Sequence, residues 1–264
     1  MTPMFERIKA ILLQELYITR GSLEVIVDLF YTSLITVVVF GLVSGFLTGV
    51  MNPNTGSYLI LGMLLWDVIR VTQYSITVGG LWNIWSHNLS NMFVAPLSLV
   101  EYVAAQMLSG LLKMLMIFAM ISGMAAVWFH FQIWRVGAIN LALFLVNLTI
   151  FAWALGFVLL GVVFLMGTRI QALAWGAVFL FQPLTAAFFP LQVLPPAVRT
   201  VAYGIPPTWV FEGARRALAN PSVDWTGAGI AFGENIVYLG AGILAFYLMW
   251  MRSRESGQFA RNDG

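Results

Sequence analysis

The chain has 264 residues and a mass of 29.3 kDa; 60% of its residues are hydrophobic and only 9% are charged. A soluble domain carries about 25% charged residues, so this composition excludes a soluble globular protein. With a mean hydropathy of +0.88, it indicates an integral membrane protein, and the net charge of +2 is too small to indicate a nucleic-acid partner.

Several kinds of chemistry lack the residues that they need. The sequence has no cysteine, which excludes disulfides, thiolate nucleophiles and Cys-type zinc sites. Its two histidines, His87 and His130, lie far apart, and neither Lys9 nor Lys113 is followed by the Ser or Thr of a phosphate-binding P-loop. No nucleophile elbow and no adjacent carboxylates occur. We therefore expect no enzymatic site and no bound cofactor or metal, and any ATP with its Mg²⁺ would bind a separate subunit.

Residues 1–22 are predicted to form an amphipathic helix that lies in the membrane interface. Its apolar residues fall at helical spacing on one face, whereas its charges lie mostly elsewhere. That face consists of Met4, Phe5, Ile8, Ile11, Leu12 and Leu16. The alternative is a plain extension of the first membrane span.

Six membrane-spanning helices are predicted. Residues 29–66 hold no formal charge, which is too long for one span, and the turn residues Asn52–Gly56 divide the stretch in two. The six predicted spans are 25–50, 57–80, 100–128, 137–165, 171–190 and 228–251. The predicted fold is therefore a single all-α membrane domain over residues 1–264.

Basic residues predict the orientation of the spans. With six spans both termini share one side, and Lys and Arg concentrate on the cytoplasmic side of membrane proteins. The side of the termini would hold Arg7, Lys9, Arg20, Arg169, Arg252, Arg254 and Arg261. The opposite side would hold Arg135, Arg199, Arg215 and Arg216. This distribution favours cytoplasmic termini.

Two connecting segments are candidates for function. Residues 81–98 are polar in the middle and are predicted to form a short cytoplasmic helix that ends at Pro96, either a docking element for a partner or a simple connector. Residues 190–227 are rich in proline yet apolar, which predicts two short re-entrant or surface helices, at 195–204 and 207–219. Glu212 would there neutralise Arg215 and Arg216. A gate and a static lid both fit this segment.

Three charges fall within predicted spans, namely Asp67, Arg70 and Lys113. Charges at membrane depth are usually paired or face water. Because Asp67 and Lys113 lie at similar depths on neighbouring spans, we predict that they pair, with Arg70 one turn away; a structural pair and a proton relay are both open. The repeat Gly41-xxx-Gly45-xxx-Gly49 permits close helix contact, either at a dimer seam or within one subunit.

Three parts of the sequence resemble the permease subunits of type-2 ABC exporters, which export polysaccharides, lipo-oligosaccharides or drugs. One is the amphipathic helix before six spans, and another is the segment from Asn88 to Ser98 with its Pro96-Leu97 ending. The third is a series after the fifth span: Phe189-Pro190, Leu194-Pro195, Pro206-Pro207-Thr208-Trp209, Glu212 and Arg215. The series departs from the family pattern where Ile205-Pro206-Pro207 replaces Asn-Pro-Leu. The resemblance covers nearly the whole chain.

The resemblance implies two copies of the chain around a shared pathway in a bacterial inner membrane, among lipids. Two cytoplasmic ATPase subunits would bind ATP and Mg²⁺ and drive export of an amphipathic or glycosylated compound or drug. It implies coupling to the ATPases by Arg7, Trp85, His87, Asn88, Asn91, Phe93 and Pro96. It implies an external gate or lid of Pro190, Pro195, Pro196, Pro206, Pro207, Trp209, Glu212 and Arg215, and a seam at Gly41, Gly45 and Gly49.

Two other classes stay open. A secondary transporter or channel would use Asp67, Lys113 or Glu234 as ion-coupling groups and act without a partner ATPase. A membrane scaffold or enzyme would show neither nucleotide dependence nor vectorial flux.

Overall fold

The computed structural model describes residues 4–50, 53–86 and 97–256, and every regular element in those residues is helical. The α-helices are α1 (Met4–Gly21), α2 (Leu23–Ile26), α3 (Thr32–Val50), α4 (Pro53–Trp85), α5 (Leu99–Phe129), α6 (Ala138–Met166), α7 (Gln171–Gly176), α8 (Phe181–Leu184), α9 (Pro196–Ala202), α10 (Pro206–Ala219) and α11 (Trp225–Glu255). A π-helical turn, Val27–Tyr31, joins α2 to α3. The 3-10 turns are Ile133–Val136, Gly167–Ile170, Ala177–Leu180 and Leu191–Val193.

The N-terminal helix is a separate element and not an extension of the first span. α1 ends at Gly21, and the Ser22 side chain caps α2 by accepting a hydrogen bond from the Val25 amide at 3.3 Å. Such a cap satisfies a backbone donor that the start of a helix otherwise leaves free. The predicted helix over residues 1–22 is therefore present over its described part, whereas its place in the membrane interface stays a prediction.

α4 lies at the centre of the bundle, packed against α3, α5 and α6. Of the helices long enough to cross a membrane it has the lowest mean hydropathy, 1.3, and the largest buried share, 89%. The two facts belong together, because neighbouring helices cover the polar side chains of α4 and keep them out of lipid. The interior of the bundle is thus built around the least apolar of these helices.

Five helical segments are long and apolar enough to cross a membrane: Leu23–Gly49, Thr55–Trp85, Leu99–Phe129, Ala138–Leu184 and Trp225–Glu255. The predicted count of six is not confirmed, because most of the predicted spans 137–165 and 171–190 falls within the 47 residues of Ala138–Leu184. That segment bends sharply. Gly167 has a φ of 66°, which ends α6, and the Phe151 and Phe181 rings lie 5.4 Å apart. The chain therefore reverses and returns along α6.

α6 and α11 pack closely along their length. A Cβ atom on Gly242 would lie 2.6 Å from the Ala154 carbonyl oxygen, so only glycine permits this approach. Asn235 donates its side-chain N–H to the Asn147 side-chain oxygen at 3.0 Å, and the Ser253 hydroxyl donates to the Phe164 carbonyl at 2.6 Å. Buried polar groups need such partners, and these two bonds fix the register of the pair.

Gly62→Ala is expected to destabilise the protein by about 1–3 kcal/mol, the usual cost of overpacking. A Cβ there would lie 2.2 Å from the Ala187 carbonyl oxygen, which is backbone and cannot rotate away. The matched control is Gly123→Ala on α5, where nothing lies within 4 Å of the added atom. Thermal denaturation of the purified variants in detergent measures the difference; equal midpoints would contradict the close approach at Gly62.

Candidate functional site

Helix α1 is attached near its N-terminus to the start of α5. Arg7 donates to the Glu101 carboxylate from Nε at 2.9 Å and from Nη2 at 2.5 Å. Glu101 also forms a capping box with Ser98, in which each side chain bonds the backbone N–H of the other residue. Arg7 is therefore linked to the first turn of α5, immediately after the predicted coupling segment.

Two further polar side chains attach the middle of α1 to α4 and α5. Gln14 donates to the Asn83 side-chain oxygen at 2.9 Å. Glu15 accepts from Lys113 Nζ at 2.9 Å and from Gln106 Nε2 at 3.0 Å, and its side chain is only 3% exposed. The predicted Asp67–Lys113 pair is therefore wrong. The similar depths of Asp67 and Lys113 on neighbouring spans suggested that pair. The carboxylate that reaches Lys113 is instead that of Glu15, on α1.

The outward face of α1 carries apolar and basic side chains. Phe5, Leu16 and Tyr17 are exposed, as are Lys9 and Arg20. Of the predicted apolar face, Ile11 instead points inward and is buried, while Met4 is exposed. The face that contacts the bundle therefore combines polar side chains with the isoleucines Ile8, Ile11 and Ile18, and the exposed face has the apolar and charged mixture that suits a membrane surface.

The charges in the first half of the bundle form a compact cluster. Arg70 donates to Asp67 Oδ1 and to Ser33 Oγ, both at 2.6 Å, and to the Asp28 carbonyl at 3.1 Å. Ser33 in turn donates to Asp67 Oδ2 at 2.6 Å. Asp67 is therefore neutralised by Arg70, three residues later on its own helix, which is why it needs no lysine from a neighbouring span.

Asp28 belongs to the same region, although no functional role is predicted for it from the sequence. The Tyr74 hydroxyl and the Trp175 indole N–H both donate to Asp28 Oδ2 at 3.0 Å. Asp28 lies in the π-helical turn Val27–Tyr31, and such turns often occur at functional sites. The signal available in the sequence was the position of this carboxylate, one turn inside the predicted span 25–50, where a charge indicates a functional or paired group.

Of the predicted coupling residues, Arg7 and Trp85 lie in the described part of the chain. Trp85 is in the last turn of α4, not in a loop, because the helix continues five residues beyond the predicted end at residue 80. Its ring stacks on that of Trp175 at 6.0 Å and meets that of Trp82 edge-on at 5.2 Å. His87, Asn88, Asn91, Phe93 and Pro96 lie outside the described residues.

The proline-rich segment folds into two short helices, close to the predicted bounds. Proline begins both: Pro195 precedes α9, which starts at Pro196, and Pro206 and Pro207 open α10. Proline suits the first turn of a helix because the backbone N–H that it lacks would have no hydrogen-bond partner within the helix there. Pro190 precedes the 3-10 turn Leu191–Val193.

Glu212 and Arg215 form the predicted ion pair at 2.7 Å. Glu212 also accepts from the Leu191 amide at 2.9 Å, and Arg215 donates to the Ala186 carbonyl at 2.8 Å. The pair therefore connects α10 to the segment that precedes α9. The predicted contact between the Glu212 and Arg216 side chains is wrong, because Arg216 turns to Asp224 at 2.6 Å.

Glu234 on α11 lies beside the same segment. Trp209 donates its indole N–H to the Tyr203 carbonyl at 3.0 Å and, more weakly, to Glu234 Oε1 at 3.4 Å. The second carboxylate oxygen, Oε2, is buried and has no partner among the described residues. Glu234 is thus a carboxylate within the candidate span Trp225–Glu255, and the described residues give it only one weak hydrogen bond.

The three glycines of the predicted seam have different surroundings. A Cβ on Gly41 would lie 2.2 Å from the Phe129 ring, so close packing within the subunit accounts for this glycine. Gly45 and Gly49 have nothing within 4 Å of an added Cβ. They remain available to a second chain.

In residues 4–50, 53–86 and 97–256, no group of three His, Asp or Glu side chains is placed to hold a metal ion. No model of a known protein family matches the chain, and no curated protein matches it significantly. The structure supports a broad class of protein. The chain has several helices that are long and apolar enough to span a membrane, which is consistent with a multi-pass membrane protein.

Proposed function

We propose that the chain is the permease subunit of an ATP-driven exporter of the type-2 ABC kind, working as a dimer with two cytoplasmic ATPase subunits. The observation that carries the proposal is the polar attachment of α1 to the bundle. Arg7–Glu101, Gln14–Asn83 and Glu15–Lys113 join this exposed helix to α4 and α5. The predicted coupling segment, residues 81–98, includes the connection between the same two helices.

The attachment supports coupling for a mechanical reason. A surface helix held only by apolar contact can slide, whereas hydrogen-bonded charges act at fixed distances and directions. Displacement of α1 by a partner would be transmitted to α5 through Glu101 and Lys113, and to α4 through Asn83. α4 is the central helix of the bundle, so the displacement would reach its core.

The remaining parts fit the same proposal. The stretch Gly167–Leu184, which returns along α6, would be an additional crossing. It would raise the number of crossings to six and bring both termini to the cytoplasmic side. α9 and α10 would form the external gate, with Glu212 and Arg215 joining α10 to the segment that precedes α9. Gly45 and Gly49 would meet the second copy in the inner membrane of a bacterium. The substrate would be an amphipathic or glycosylated compound or a drug.

The test is purification of the tagged chain from its native membranes, followed by reconstitution of the complex into liposomes. We expect a P-loop ATPase in equimolar amount and ATP-dependent efflux that stops when the P-loop lysine of the ATPase is replaced. A chain that purifies alone, while other complexes of similar size survive the same detergent, would overturn the proposal.

Arg7→Ala is expected to lower ATP-dependent efflux at least about tenfold, because Arg7 is the contact nearest the coupling segment and its loss leaves Glu101 without an ion-pair partner. Arg20→Ala is the matched control, since Arg20 is exposed on the same helix. Efflux and ATP hydrolysis are measured together. Equal efflux by the two variants would contradict the coupling role of α1.

One observation favours a secondary transporter instead. Glu234 has a buried oxygen without a partner in the described chain, as an ion-coupling carboxylate would, whereas Asp67 and Lys113 are each neutralised by a close partner. Flux by the chain alone, driven by a proton gradient and abolished in Glu234→Gln, would establish this alternative.

A further inference from the structure

We propose that Asp28, with the indoles of Trp85 and Trp175, forms a binding site for an organic ammonium group carried on an amphipathic molecule. The inference rests on the proposed export function and names a substrate class for it. The site lies where the π-helical turn Val27–Tyr31, the end of α4 and helix α7 meet.

The charge balance of the site favours a cation. Asp67 and Arg70 neutralise each other at 2.6 Å, whereas Asp28 forms no ion pair with any described residue and is only partly buried. The cluster therefore carries one net negative charge. A carboxylate that is partly withdrawn from water gains more from a bound cation than an exposed carboxylate does.

The hydrogen bonding of Asp28 leaves one oxygen for a ligand. Tyr74 and Trp175 both donate to Oδ2, which orients the carboxylate. Oδ1 accepts no hydrogen bond from the described residues. The Tyr74 hydroxyl and the Trp175 indole N–H are both occupied by their hydrogen bonds to Oδ2. The polar group that a ligand could reach is therefore the acceptor Oδ1. A neutral sugar needs both donors and acceptors, whereas an ammonium group needs only acceptors and aromatic faces.

The aromatic side chains supply those faces. Trp85 and Trp175 stack at 6.0 Å, and both rings are partly exposed. Indole is the best aromatic partner for a cation because its ring face carries negative potential. The apolar part of an amphipathic ligand would lie along the exposed hydrophobic side chains beside the site, among them Val27 and Tyr31. With cytoplasmic termini, the site would open near the cytoplasmic end of the spans.

The test is isothermal titration calorimetry on the purified full chain in a neutral polyoxyethylene detergent, with benzyltrimethylammonium as the cation and octyl glucoside as the neutral sugar. We expect saturable binding of the cation and none of the glucoside. Asp28→Asn should weaken cation binding at least about tenfold, and Trp85→Leu about threefold. Glu24→Gln removes an equal charge one turn away and should leave the affinity within about twofold, as exposed charges do.

Each result decides the proposal. Equal cation affinity in wild type and Asp28→Asn overturns it, and so does glucoside binding that displaces the cation. If Asp28→Asn does not fold, Trp85→Leu carries the test, because Trp85 takes no part in the hydrogen bonds of Asp28. The assay needs neither ATP nor a partner. Failure to bind with ATP-driven efflux intact overturns this site alone, whereas cation binding by a chain that purifies from its native membranes without any partner ATPase overturns only the export mechanism.

Discussion

Lys113→Met is expected to lower the free energy of unfolding by about 3–5 kcal/mol, because it leaves a charged carboxylate buried without its partner. Lys113 and Glu15 are 2.9 Å apart, and their side chains are 12% and 3% exposed. Among the described residues, Gln106 Nε2 would remain as the one side-chain donor to Glu15. Thermal denaturation of the purified chain in detergent measures the loss.

The sequence provides the control, because its only other lysine is Lys9. Lys9 is 56% exposed and 4.0 Å from Glu6, so Lys9→Met should change stability by less than about 0.5 kcal/mol. In the double variant Glu15→Gln with Lys113→Met neither charge is left buried, and most of the stability should return. A Lys113→Met protein as stable as Lys9→Met would contradict the buried pair.

Local patterns in the sequence predicted much of the helical architecture. The boundaries of α5 fall within one residue of the prediction, 100–128 against Leu99–Phe129, because Ser98 and Glu101 supply a capping box and His130 ends the helix in a left-handed conformation. The Pro-Pro pairs located α9 and α10 for similar reasons. Capping and proline geometry involve residues close in sequence, so they can be read from the chain directly.

Long-range pairing could not be predicted in the same way. Glu15 and Lys113 are 98 residues apart, and several carboxylates were equally plausible partners for this lysine. Asp67 was chosen as the partner of Lys113 only for its depth in the membrane. Arg70, one turn along the same helix, was already close enough to pair with Asp67. Asp28 was missed because its partners, Tyr74 and Trp175, come from two other segments. The predicted break between residues 165 and 171 coincides with the end of α6 at Gly167, but Ala138–Leu184 counts as one long apolar segment, so the number of spans stays a prediction.

Arg70→Met is also expected to lower the free energy of unfolding by about 3–5 kcal/mol. It leaves the Asp67 carboxylate, whose side chain is 4% exposed, without its ion-pair partner. The substitution also removes the donors to Ser33 Oγ and to the Asp28 carbonyl. Ser33 alone would remain bonded to Asp67. The loss is measured by thermal denaturation in detergent and should be largely reversed by adding Asp67→Asn.

Arg70→Lys separates charge from geometry. The guanidinium of Arg70 uses three different nitrogens for Asp67, Asp28 and Ser33, and an ammonium group cannot reproduce that planar arrangement. We therefore expect Arg70→Lys to recover only part of the stability lost in Arg70→Met. Arg169→Lys is the control, because Arg169 is exposed and should tolerate lysine. Full recovery in Arg70→Lys would mean that the positive charge alone holds this cluster, and that the π-helical turn carrying Asp28 is positioned by other contacts.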